Sequence, residues 1–172
     1  NVWDAGCAMG PEPYSLAILF AERMGRFAFK NLKIDATDID TSDLFGDIIA
    51  SGVYPEQELK RIPPDIFAKY FKPSERQGHY EIDYTVRSRI SFRRHDLLRL
   101  DPAGNGYSLI LCKNVLLHFN PQERVKVMSM FHEALVPGGF FATEQTQKIP
   151  DALAHLFEQV SPDAQLYRKR VV

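Results

Sequence analysis

The 172-residue sequence predicts an α/β fold with a mostly parallel, doubly wound sheet. Three observations predict it. Residues 1–20 read as a short apolar strand over 2–5, a loop holding Gly6 and Gly10, and a helix with Pro11 or Pro13 in its first turn. Residues 107–112, Tyr-Ser-Leu-Ile-Leu-Cys, form a nearly continuous apolar run, as a parallel strand covered on both faces does. Between and after these two stretches, strand patterns alternate with helix patterns.

The totals narrow the function without naming it. One domain of this length holds a substantial core. With 21 Lys and Arg against 22 Asp and Glu, the net charge of −1 gives no general argument for nucleic acid or membrane binding. Cys7 and Cys112 lie far apart in sequence, so neither a disulfide framework nor a metal site is expected; buried free thiols in a reducing cytoplasm fit better. No stretch is long or apolar enough to span a membrane as a helix. The chain opens at Asn1 on what reads as its first sheet strand, so sequence upstream is expected.

Taken in order, the first helix is expected to run to about Met24, with Gly25 as its C-cap. Residues 31–37 alternate as a strand and end in Asp38-Ile39-Asp40. An acid at the end of a second strand can accept hydrogen bonds from both hydroxyls of a ribose, and Asp38 stands there. It can equally cap the next helix; two acids allow Asp38 one job and Asp40 or Thr41 the other. A helix over 42–50 stops near Gly52, and short helical pieces follow over 56–61 and 64–70. Residues 72–92 read as an inserted antiparallel hairpin. In and just after it lie Arg87, Arg89, Arg93, Arg94 and His95, a solvated face or a site for an acidic partner. The 107–112 strand breaks at Lys113-Asn114, where parallel strands place ligands, which makes Lys113, Asn114 and His118 candidates for chemistry. Residues 121–135 form an amphipathic helix capped by Asn120. Residues 136–139 read as a turn, 140–143 as a strand, 151–160 as a last helix and 166–171 as a last, antiparallel strand.

The first loop reads Asp4-x-Gly6-x-x-x-Gly10, which is not the dinucleotide spacing G-x-G-x-x-G. Together with Gly10-x-Glu12-Pro13-Tyr14-Ser15, Ala36-Thr37-Asp38-Ile39-Asp40, Gly52-Val53-Tyr54-Pro55, Cys112-Lys113-Asn114-Val115-Leu116-Leu117-His118-Phe119 and Leu135-x-Pro137-Gly138-Gly139, it resembles the CheR family of S-adenosylmethionine (SAM)-dependent chemotaxis-receptor methyltransferases. The likeness spans essentially the whole chain and covers that family's C-terminal catalytic domain; its N-terminal helical domain is not in this chain. The resemblance implies a Rossmann-like class I methyltransferase fold over 1–172, with a small β-subdomain at about 72–92 that contacts the receptor. It implies methylation of glutamate side chains, with SAM as cofactor and S-adenosylhomocysteine as product. Cofactor contacts would come from Asp4, Gly6, Gly10, Glu12, Asp38, Ile39, Asp96, Leu97 and Asn114. Glu12 would face the methionyl end, Asp38 the ribose, and Asp96 and Leu97 the adenine. Lys113 and His118 would be catalytic.

The chain departs from the family pattern at Pro11 (usually Glu), Lys113 (usually Arg), His118 (usually Tyr), Asp96 (usually Asn) and around Glu144. Lys keeps the charge of Arg without its fork, and His adds a titration near neutral pH. These changes keep two other readings open: a methyltransferase acting on a small molecule or another protein, and a SAM-binding signalling module without catalysis.

Overall fold

The computed structural model describes residues 1–171. The chain opens with β1 (Val2–Ala5), α1 (Pro11–Arg23), the short α2 (Arg26–Phe29) and β2 (Ile34–Asp38). Next come α3 (Phe45–Ser51), β3 (Val53–Pro55), α4 (Glu56–Leu59), α5 (Pro64–Tyr70), β4 (Phe71–Pro73), β5 (His79–Ile82) and α6 (Tyr84–Arg87). Then follow β6 (Ile90–Arg94), β7 (Tyr107–Cys112), α7 (Pro121–Ala134), β8 (Leu135–Thr143), β9 (Phe157–Gln159) and β10 (Leu166–Lys169).

Among the described residues, a 7-stranded sheet has the order β6-β2-β1-β7-β8-β10-β9, and a separate 3-stranded sheet the order β3-β5-β4. The first five strands of the large sheet run parallel, and β10 runs antiparallel to both β8 and β9. This is the expected mostly parallel sheet with a small antiparallel one beside it. Side chains alternate across β1, so Trp3 and Ala5 join one core cluster and Val2 joins the other. The first cluster packs against α7, the second against α1 and the small sheet.

Local chemistry sets most boundaries. Asn120 and Glu123 form a capping box at α7: the Asn120 side chain accepts from the Glu123 N–H, and the Glu123 carboxylate from the Asn120 N–H, both at 2.9 Å. Gly52 ends α3 at φ 62°, a left-handed conformation that a side chain disfavours.

Four expectations need correction. Gly25 is not a left-handed C-cap: α1 ends at extended Met24, and Gly25, at φ −64°, starts α2. The small sheet does not coincide with residues 72–92. It takes β3 from upstream, while β6 pairs with β2 in the large sheet, because the alternating side chains of Val53-Tyr54-Pro55 find a partner in β5. Residues 136–139 belong to β8 as an irregular opening, where the register against β7 shifts. Residues 151–160 are not a helix. Ala and Leu favour one locally, but Phe157 is buried and Gln159 pairs with Tyr167, so a 3-10 turn at Asp151–Leu153 leads into β9.

Replacing Asn120 with Ala removes half of the capping box and should lower the unfolding free energy by about 1 kcal/mol in urea titrations. Gln122→Ala, in the same turn and exposed, is the control that should leave it within about 0.5 kcal/mol.

Candidate functional site

From β1 the large sheet grows through β2 to β6 on one side, and then through β7 and β8 on the other. The direction reverses between β1 and β7. In open parallel sheets, ligands bind beyond the strand ends at such a switch.

Asp4 lies near the end of β1, paired in register with Ala36 and Leu111. It is 0% exposed, neither carboxyl oxygen accepts from an N–H or O–H donor, and its carboxyl lies against that of Glu12. Burial pushes its carboxyl up to about 9; the charges of Glu12 and Asp38 add to the effect and Lys113 opposes it. Glu12 stands in the first turn of α1, and the Lys113 Nζ, just past β7, reaches its Oε2 at 3.0 Å.

The loop between β1 and α1 is pinned to β2. Gly6 and Cys7 donate their N–H groups to the Thr37 carbonyl, and the Ala8 N–H donates to Asp38 Oδ2 at 3.0 Å. Gly6 and Gly10 both have φ near 100°. A Cβ on Gly6 would lie 2.1 Å from Val115, and one on Gly10 2.7 Å from the Tyr54 hydroxyl. Packing alone therefore requires both glycines, whatever the loop binds.

The two acids after β2 divide their roles. Asp40 is buried and accepts from the Ser42 hydroxyl and the Leu44 and Phe45 N–H groups, so it anchors the turn into α3, whose N-cap position is Leu44. Asp38 remains at the strand end beside Ile39, which is 53% exposed. Asp96 caps a 3-10 turn by accepting from the Leu98 N–H. Leu97 is buried in the cluster that holds Trp3, and Leu98 beside it is exposed.

Asn114 adopts φ 58°, and its N–H donates to Glu144 Oε2 at 3.1 Å. Glu144 also accepts from the Thr143 hydroxyl, and its Oε1 is buried without a partner. Sequence reasoning did not nominate Glu144 for a role. Its signal was positional: it is the first residue past β8, next to the end of β7. His118 closes a 3-10 turn, Leu116–His118, and is exposed.

The structure thus brings Asp4, Glu12, Asp38 and Lys113 together and joins Asn114 to Glu144, while His118 stands apart on its turn. The basic side chains are engaged with the chain itself. Arg87 binds the Ser51 carbonyl and Glu81, Arg89 the Lys30 carbonyl, Arg93 the Ala103 carbonyl, Arg94 the Ile39 carbonyl, and His95 the Asp101 carbonyl. That occupation favours the structural reading of the cluster over an acidic-partner site. Cys7 and Cys112 are buried free thiols, and burial pushes both up, away from thiolate. A cavity of about 800 Å³ lies elsewhere, lined by Ile18, Leu59, Ile66, Phe71 and Ile82 among others, and by none of the four clustered side chains.

A buried acid with a raised pKa destabilises the fold as pH rises. The folded chain keeps a proton that the unfolded chain releases near 3.8, so stability falls from there up to about 9. Asp4→Asn should remove that slope and raise the melting temperature at pH 8 by on the order of 5 °C in scanning calorimetry. An unchanged or lower melting temperature would show that Asp4 is ionised and compensated.

Residues 1–165 match the protein family described as "CheR methyltransferase, SAM binding domain". A protein described as "Uncharacterized 104.1 kDa protein in hypE 3'region" of Rhodobacter capsulatus is 36% identical over 143 residues, which cover 81% of this chain and 14% of that protein. A "Probable chemotaxis protein methyltransferase" of Rhizobium etli is 28% identical over 162 residues, covering 93% of this chain and 60% of that one. "Chemotaxis protein methyltransferase 2" of Pseudomonas aeruginosa is 30% identical over 163 residues, covering 93% and 57%. The chain therefore spans at most 60% of the length of these three relatives. With a family match over 165 of its residues and a parallel sheet that gathers Asp4, Glu12, Asp38 and Lys113 at its switch point, the chain belongs to the CheR methyltransferase SAM-binding domain family.

Proposed function

We propose that this chain is the catalytic domain of a SAM-dependent methyltransferase that O-methylates glutamate side chains of a chemotaxis-type receptor. The observation that carries the reading is the meeting of Asp4, Glu12, Asp38 and Lys113 at the switch point between β1 and β7. These residues fit the cofactor. Asp4 offers two buried, unpartnered oxygens beside Glu12, which suits a group that carries positive charge. Asp38 stands at the end of β2, where a ribose would present its hydroxyls, and exposed Ile39 supplies an apolar neighbour for a base. Gly6 and Gly10 shape the loop, Asp96 and Leu97 border the adenine side, and Asn114 completes the site through its left-handed backbone. Bound there, SAM supplies an electrophilic methyl group and leaves as S-adenosylhomocysteine.

The acceptor carboxylate is already ionised near neutral pH, so its oxygen attacks without a base. The protein's part is then positioning and charge. Lys113 orients the incoming carboxylate, and His118, on its exposed turn, donates a hydrogen bond to it. The small sheet supplies the surface for a receptor or other protein substrate. The buried thiols of Cys7 and Cys112 favour a reducing cytoplasm, and among the described residues no helix is long and apolar enough to cross a membrane. Transfer to a different acceptor is favoured by one observation: Lys113 is engaged with Glu12, which leaves its charge divided between cofactor side and substrate side.

Calorimetric titration with SAM and S-adenosylhomocysteine tests the site. Asp38→Ala should weaken both by about 10- to 100-fold, as loss of hydrogen bonds to a charged group does; unchanged affinity would remove Asp38 from the ribose. The pH–rate profile for methyl transfer to a receptor fragment should show no step near the His pKa, and the profile of His118→Ala should have the same shape. A step that vanishes in the variant would show that transfer depends on the protonation state of His118, as it would for a general base.

A further inference from the structure

Two carboxyl groups, Asp4 and Glu12, share the switch point with one ammonium, Lys113. The groups around Asp4 come from every element packed there. Glu12 is on α1, Asp38 at the end of β2 and Lys113 just past β7, while the Cys7 and Cys112 thiols are buried on either side and stay neutral. Lys113 is committed to Glu12 at 3.0 Å. Asp38 is held by the N–H groups of Ala8 and Asp40. Asp4 is buried with no N–H or O–H donor on either oxygen, its carboxyl lies against that of Glu12, and the one nearby ammonium, Lys113, is shared with Glu12. A carboxylate in that position is costly, and the group answers by keeping its proton. A second cation arriving at this point would balance the second carboxylate, and the proton would then leave to solvent.

We propose that Asp4 reads the charge of the cofactor: it is protonated in the free protein and gives up its proton when the α-ammonium of an S-adenosyl amino acid enters beside Glu12. Binding is then coupled to release of a proton, and the site selects adenosyl ligands that carry an ammonium over those that do not. The raised pKa of Asp4 is what the coupling requires. The proposal rests on the cofactor reading above. It adds a specificity determinant at a carboxyl that accepts no hydrogen bond from an N–H or O–H of the chain.

The test is titration calorimetry of the intact protein at pH 7.5 in buffers of different ionisation enthalpy. The ligands are S-adenosylhomocysteine, which carries the ammonium, and 5′-methylthioadenosine, which lacks the amino-acid moiety. Wild type should release about one proton on binding the first and none on binding the second. Asp4→Asn should bind S-adenosylhomocysteine with no proton release and should lose most of the preference between the two ligands. Binding of both ligands by wild type without proton release would overturn the proposal and leave the cofactor reading intact. Release that persists in Asp4→Asn would overturn it too, by placing the proton elsewhere. Failure of wild type to bind either ligand would overturn the cofactor reading and this proposal with it. Carbon-13 NMR of the carboxyl groups in the free protein gives an independent check. One aspartate should stay protonated through pH 7 and be missing from the Asp4→Asn spectrum; its absence from the wild-type spectrum would also overturn the proposal.

Discussion

The fold depends on β1 being enclosed on every side. Its four residues are all buried, its backbone pairs with β2 on one edge and β7 on the other, and its side chains point alternately into two separate cores. Trp3 shows how tightly it is held. Its indole N–H donates to the Thr37 hydroxyl at 2.8 Å, and its rings meet Tyr107, Phe131 and His95. A strand so placed admits no error of register, because a shift of one residue would send Trp3 into the other core. It also fixes where the following loop begins, and with it the direction in which α1 presents Glu12.

Polar groups are satisfied almost everywhere except at the strand ends. Among the described residues, the buried side-chain atoms without a partner are both oxygens of Asp4, His95 Nδ1, Glu144 Oε1 and His132 Nε2. All but the last lie just inside or just past the C-terminal ends of β1, β6 and β8. Natural cores seldom leave such atoms unpaired, so their concentration along one rim marks a surface built to meet something other than the chain itself. The arginines behave in the opposite way: Arg94 binds the Ile39 carbonyl at that rim, and Arg89 binds the Lys30 carbonyl at the other end of the same two strands.

Where one local signal decided the structure, the sequence was readable. The apolar run at 107–112 is β7 residue for residue, because burial on both faces leaves only one pattern. Asn120 marked the start of α7, since its side chain acts within one turn. The acids after β2 were legible as a pair, and only their hydrogen bonds in the fold show that Asp40 anchors the turn into α3. Residues 151–160 were misread because their helix-forming composition is overruled by β10, a partner that composition cannot reveal. Glu144 was missed as a site residue for a related reason. Its role depends on the backbone of Asn114, 30 residues away in sequence, and no spacing rule links the two. Asp4 was legible as a candidate; that both its oxygens lack partners was not.

The small sheet sits in the connection between β2 and β6, two strands that lie side by side and parallel in the large sheet. The chain leaves this neighbourhood through α3 and Gly52 and returns through Ser88 and Arg89, with Arg87 tying exit to entry through the Ser51 carbonyl. Everything between those points is a closed excursion from a joint whose two ends are already fixed. Its inner face is nonetheless tied to the site: Tyr54 donates to the Met9 carbonyl in the loop beyond β1, Tyr70 donates to Glu22 on α1, and Ile82 and Val86 are buried in the core that holds α1. Only its outer surface can acquire new recognition faces while the chemistry is kept, because its inner face is bound to the loop and helix that carry Glu12.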